Sequence, residues 1–156
     1  MSAARSWLFK SEPESYSIHD LRRDGETLWD GVRNYQARNL LRDAMRPGDD
    51  VLFYHSNTTA PAIVGTARIL RTGLPDPTQF DSAHPKFDAK ATPVTPRWYA
   101  VEIAFVEEFS APLTLDSLRN IPALEGMELL RRGSRLSVQP VTPAEWNLIL
   151  RLAHAA

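Results

Sequence analysis

Residues 98–109 read Trp98-Tyr99-Ala100-Val101-Glu102-Ile103-Ala104-Phe105-Val106-Glu107-Glu108-Phe109, with Tyr99, Val101, Ile103 and Phe105 on one side and Glu102 on the other. A period of two is the mark of a half-buried β-strand, and this is the longest strand the sequence predicts. Val51-Leu52-Phe53-Tyr54 is a continuous apolar run between polar residues, as in a strand covered on both faces. Residues 62–70 form a further strand in which Gly65 predicts a bulge or a close backbone approach. Trp7-Leu8-Phe9 begins a short strand that Glu12-Pro13 ends, and 136–141 is a last strand interrupted at Pro140.

Helices fill the intervals. Ser17 with Asp20 makes a capping box for a small helix that Gly25 stops, and Thr142-Pro143 with Glu145 starts a carboxy-terminal helix with Trp146, Ile149, Leu150 and Ala153 on one stripe. Ala37, Leu40, Leu41, Ala44 and Met45 recur at helical spacing between a cap at Asn34 and a stop at Pro47-Gly48. Thr114 caps a short helix through Leu118, and 124–132 predicts another. Leu28-Trp29-Asp30-Gly31 reads as a loop, and 74–96, with five of the 12 prolines, as a long irregular excursion. The strands are short and turn-separated, without regular strand–helix alternation. The expected class is α+β: a small, mostly antiparallel β-barrel flanked by helices.

The 156 residues, 43% hydrophobic and 24% charged, fit one soluble globular domain over 1–156. The absence of cysteine excludes disulfide frameworks, thiolate catalysis and cysteine-based metal sites. Residues 1–10 lack the apolar core of a signal peptide, and no apolar run approaches the roughly 20 residues of a spanning helix, so a cytoplasmic location with no membrane partner is expected. A net charge of −1 gives no bulk attraction for polyanions. Fifteen of the 18 cations are arginine, however, clustered at Arg131, Arg132 and Arg135 and along Arg33, Arg38 and Arg42. A GC-rich coding sequence also produces such an excess, so position decides whether these are basic patches.

Nucleophile, phosphate-loop and metal motifs are missing, and no catalytic residue, cofactor or metal is expected. Asp76, Asp81, His84 and Asp88 match no metal-loop spacing. His55-Ser56-Asn57 follows a buried strand and reads either as part of a ligand site or as a turn held by its own polar side chains. Trp7 and Trp146 read as core. Trp29, in Trp29-Asp30-Gly31-Val32-Arg33-Asn34, and Trp98, beside Arg97, read either as core or, with Tyr54, as a slot in which a flat ring stacks.

Five blocks carry a resemblance: Trp7-Leu8-Phe9-Lys10-Ser11-Glu12-Pro13, Leu28-Trp29-Asp30-Gly31-Val32-Arg33-Asn34-Tyr35-Gln36-Ala37-Arg38-Asn39, Val51-Leu52-Phe53-Tyr54-His55-Ser56-Asn57, Pro75-Asp76-Pro77-Thr78-Gln79-Phe80-Asp81, and Leu129-Leu130-Arg131-Arg132-Gly133-Ser134-Arg135-Leu136-Ser137-Val138. In this order they resemble the signature blocks of the EVE domain, including its stand-alone bacterial members. That family belongs to the PUA-like superfamily of β-barrels with surrounding helices and is akin to the YTH domains that read N6-methyladenine. The resemblance implies a non-enzymatic reader of a modified base, a modified cytosine in DNA in preference to RNA. It assigns the base pocket to Lys10, Ser11, Trp29, Tyr54, His55, Ser56, Asn57, Trp98 and Ser137. Arg33, Arg38, Arg132 and Arg135 would contact flanking phosphates. Modified nucleotides in RNA are the first alternative. An enzyme with His55 as acid or base and Asp30 as its partner is the second.

Overall fold

The computed structural model describes residues 4–155; Met1, Ser2 and Ala3, part of the amino-terminal stretch considered above, lie outside the described residues. Six strands, β1 (Ser6–Ser11), β2 (Glu26–Trp29), β3 (Asp50–His55), β4 (Ala62–Pro75), β5 (Tyr99–Thr114) and β6 (Val138–Val141), form one sheet in the order β2-β5-β4-β3-β1-β6. Only β1 and β3 run parallel, in the register Ser6↔Asp50 to Ser11↔His55; every other pairing is antiparallel.

β3 is apolar on both sides because both sides are covered. Val51 and Phe53 join Trp7, Phe9, Val101 and Ile103 under helix α1 (Ile18–Asp24) and α2 (Tyr35–Asn39). Leu52 and Tyr54 join Leu8, Ile63 and Phe109 under α3 (Leu115–Arg119) and α4 (Pro143–His154). Both capping boxes form as read, at Ser17 with Asp20 and at Thr142 with Glu145. The helix read through Met45 is α-helical only to Asn39. It then widens into a π turn, Leu40–Ala44, closed by the Met45 N–H on the Leu40 carbonyl at 3.0 Å. The helix read over 124–132 is instead two 3-10 turns, Pro122–Leu124 and Glu128–Leu130. Trp7 is buried, its indole N–H donating to Asp49 Oδ2 at 2.9 Å, whereas Trp146 is only partly buried against the α3–α4 side.

Gly65 sits at register shifts of β4 against both neighbours. A Cβ there would meet the Glu107 carbonyl at 2.3 Å and Ile18 Cδ1 at 3.0 Å, which is the close approach its sequence position predicts.

The expected α+β class, a mostly antiparallel sheet flanked by helices, is what the structure has, with the barrel left open as a curled sheet. In the hydrogen-bonded order β2 lies four strands from β1, which in a flat sheet is about 19 Å. The Trp29 and Phe9 rings are nevertheless 5.3 Å apart, and Trp29 meets Phe53 of β3 at 5.6 Å. The sheet therefore bends until its ends approach, yet β2 and β6 form no ladder among the described residues. Trp29 and the chain following it occupy the seam where closure would occur. Residues 28–29, read as loop, belong to β2, which is a strand because β5 offers it an edge: Leu28 pairs with Glu102 and Trp29 with Val101.

Candidate functional site

The seam holds a cavity of about 700 Å³, a volume suited to a small ligand. Both sheet ends contribute to it: Lys10 and Ser11 from β1, Thr27, Leu28 and Trp29 from β2, and Ser137 just before β6. Asp30, Gly31, Val32, Arg33 and Asn34 form one wall, with Tyr16 and Lys86 nearby. Trp29 is half-buried and rests on Phe9, Phe53 and Tyr16 in tilted and edge-on contacts. It serves both the core and the cavity wall.

A residue far along the chain fixes this wall. Asp76 is fully buried and accepts from the Gly31 N–H at 2.7 Å, Arg33 Nη1 at 3.0 Å, the Thr78 N–H at 2.8 Å and the Thr78 hydroxyl at 2.6 Å. Burial alone would raise the pKa of its carboxyl, but these hydrogen bonds outweigh burial and hold it below the ordinary value. Arg33 spends its five N–H groups on Asp76, the Thr78 hydroxyl, the Val32 carbonyl and twice on the Lys86 carbonyl. Gly31 turns with φ of 80°, aiming its N–H at Asp76.

The remaining polar groups define what the cavity can bind. Ser11 donates its hydroxyl to the Tyr16 carbonyl at 2.5 Å and so offers only its lone pairs. Asn34 Oδ1 caps α2 through the Ala37 N–H at 2.9 Å, leaving its amide N–H groups to donate. The Asp30 carboxyl bonds to no other residue among those described; burial and then the like charge of Asp76 raise its pKa. Lys10 is shifted down by burial, opposed by Glu128. A flat ring against Trp29 would thus meet acceptors at Ser11 and Asp30 and donors at Asn34.

Several residues assigned to this pocket lie elsewhere. Tyr54 faces the α3–α4 core, since its neighbour Phe53 takes the cavity side of the strand. His55 Nε2 accepts the Ile18 N–H at 3.1 Å and caps α1. Ser56 gives its N–H to the Ser11 carbonyl at 2.9 Å, and Asn57 is an exposed turn residue at φ 52°. These three residues make a turn, and His55 lines a different cavity from Asp30. A broader groove of about 750 Å³ beside His19 and His55 is walled by hydroxyls, prolines and aliphatic side chains, with no tryptophan or tyrosine. Trp98 is 5% exposed and its indole N–H donates to Asp88 Oδ2 at 2.8 Å, so it organises the proline-rich segment. Gln79 completes that segment, accepting from the Arg97 and Trp98 N–H groups and donating to the Asp76 and Trp98 carbonyls. Arg33 is corrected from a phosphate contact to an internal clamp. Arg38 lies beside the wall, and Arg132 and Arg135 are exposed without an ion pair among the described residues. Lys10, Ser11, Trp29 and Ser137 do line the cavity.

The His55 cap gives a pH signature. Burial, then His19, lower its pKa, against an opposing pull from Glu108. Folding therefore favours the neutral ring, the form that accepts from Ile18. Its contribution, about 0.5–1.5 kcal/mol for one hydrogen bond, is complete above the unfolded value near 6.5 and lost as pH falls through that value toward the folded pKa. Denaturation of the parent and His55→Phe should differ by that amount at pH 7.5, and the difference should shrink as pH falls below about 6.5. A constant difference would contradict the cap.

The sequence pattern of the EVE domain matches residues 5–152. This chain belongs to the EVE domain family. Thymocyte nuclear protein 1 of Rattus norvegicus is 41% identical over 168 residues, covering 96% of this chain and 74% of that protein. A solved Pseudomonas syringae protein superposes with a TM-score of 0.91 at 49% identity, covering 95% of this chain and 99% of its own. Human THYN1, solved in complex with 5-methylcytosine-containing DNA, superposes with a TM-score of 0.89 at 38% identity, covering 96% of this chain and 98% of its own.

Proposed function

We propose that this EVE-domain chain is a non-enzymatic reader that takes a modified cytosine of DNA into the seam cavity. The observation that carries the reading is the half-buried Trp29, mounted on the core and lining a polar cavity, in a fold shared with a protein solved on 5-methylcytosine-containing DNA. The base leaves its stack and lies against Trp29, a contact worth roughly 1–3 kcal/mol. Its exocyclic amine donates to Asp30 or Ser11, and its ring nitrogen accepts from Asn34. Arg132 and Arg135 hold phosphates beside Ser137. Asp30 and His55, the alternative acid–base pair, line different cavities, which favours binding over turnover.

Titration with DNA oligonucleotides differing only in one 5-methyl group, alongside the RNA equivalents, tests this. Burying one methyl is worth about 0.8 kcal/mol, so methylated DNA should bind roughly fourfold more tightly than unmethylated, with the nucleotide recovered unchanged. Equal affinities would overturn the reading, and a preference confined to RNA would redirect it.

A further inference from the structure

Arg38, one of the phosphate contacts that the family resemblance implies, belongs to a cluster beside the cavity that includes Arg97, which that resemblance does not name. Asn34 lines the cavity, and the α2 turn that it caps begins with Tyr35, half exposed, whose ring stacks on Trp98 at 4.8 Å and 27°. The Arg38 guanidinium lies 4.9 Å from the Tyr35 ring centre and 6.0 Å from that of Trp98. Arg97 donates to the Tyr35 hydroxyl, and its backbone carbonyl accepts from Arg38 Nη1 at 3.0 Å. Two arginines are thus fixed side by side on an aromatic mount that is itself tied to Asp88 and Gln79.

Their charges are paired less tightly than those of their neighbours. Arg33 is clamped by Asp76 at 3.0 Å and Arg42 by Asp43 at 2.8 Å. Among the described residues Arg38 bonds to neutral groups alone, the Arg97 carbonyl and Asn39 Oδ1, and one N–H on each terminal nitrogen has no partner there. Arg97 pairs with Asp88 at 3.7 Å, a longer contact than those of Arg33 and Arg42, to a carboxylate that also accepts the Trp98 indole N–H and the Lys90 backbone N–H. Two adjacent like charges held rigid with unused donors match a polyanion with repeated oxygens.

We propose that Arg38 and Arg97, mounted on Tyr35 and Trp98, grip the phosphodiester backbone of the strand whose base occupies the cavity. This rests on the nucleic-acid reading and extends it, giving the strand a second set of phosphate contacts at the Asn34 side, apart from those at Arg132 and Arg135. The exposed Tyr35 acts as a positioning residue that keeps the two guanidinium groups together.

The test is the salt dependence of binding to duplex DNA with and without one 5-methylcytosine. Each lost phosphate contact flattens the slope of log K against log salt by about 0.9, so Arg38→Gln with Arg97→Gln should flatten it by about 1.8. Between 50 and 200 mM salt the parent would then lose about tenfold more affinity than the variant. Methylated and unmethylated oligonucleotides should weaken alike, leaving their affinity ratio unchanged. Arg38→Lys with Arg97→Lys keeps the charges and should restore the slope. An unchanged slope in the glutamine variant overturns the proposal, as does a lysine variant that fails to restore it. Loss of binding to a glutamate-rich peptide, with the DNA slope unchanged, would assign the pair to a protein partner and also overturn it. A parent with no methyl preference would defeat the reader function, while the slopes still decide the arginine pair.

Discussion

Asp76→Ala should unfold the protein more readily than loss of almost any other single side chain. The change strands Arg33, whose side chain is only 18% exposed, next to a Gly31 N–H that has lost its acceptor. Removing one partner of a buried pair costs about 3–5 kcal/mol, chiefly through the charge left behind. For a chain of this size that lowers the melting temperature on the order of 10 °C. Arg33→Ala in the same background should recover part of the loss, because it removes the stranded charge. The cavity wall over residues 30–34 should loosen in step, seen as faster amide exchange at Gly31. A drop below about 1 kcal/mol, or no recovery in the double variant, would show that the clamp is not what orders the wall.

Trp29→Ala should produce two separable deficits. Sequence reading alone leaves Trp29 either core or slot, in a segment read as loop. Its contacts with Phe9, Phe53 and Tyr16 and its place on the cavity wall make it both. Since Trp29 is half-buried, the cost should approach without matching the roughly 3–5 kcal/mol of a fully buried tryptophan. Binding should fall a further fivefold to 150-fold from loss of one base–aromatic stack. Trp29→Phe should recover much of the stability and less of the binding, since a smaller ring can still touch Phe9 while offering less surface to a base. A folded alanine variant that binds methylated DNA like the parent would remove Trp29 from the site.

What the sequence reveals divides by distance. Helix starts are local, so Ser17 with Asp20 and Thr142 with Glu145 could be read directly, and the alternation at 99–105 marked β5. Face assignments within β3 could not be read, because a run covered on both sides shows no alternation, so nothing local counts against the resemblance, which puts Tyr54 in the pocket although it packs opposite. The strand character of Trp29 comes from the edge of β5, more than 70 positions away, since locally Leu28-Trp29 is only a two-residue apolar step between Thr27 and Asp30. Arg33 looked free for the same reason, since its acceptor is Asp76. One signal was available: Asp76-Pro77-Thr78 has a capping residue followed by proline at the first turn position, the pattern of an ordered turn. Of the nine residues that the family blocks assign to the pocket, Lys10, Ser11, Trp29 and Ser137 line one cavity, and Tyr54, His55, Ser56, Asn57 and Trp98 do not.

The central claim is that the modified base itself enters the seam. A crystal structure of this chain with a duplex carrying one 5-methylcytosine measures it most directly. The account predicts the methylated base outside its stack, its ring against Trp29 and its edge within hydrogen-bond distance of Ser11, Asp30 or Asn34. A methylated base still stacked in the duplex, or lodged in the groove beside His19 and His55, would contradict it.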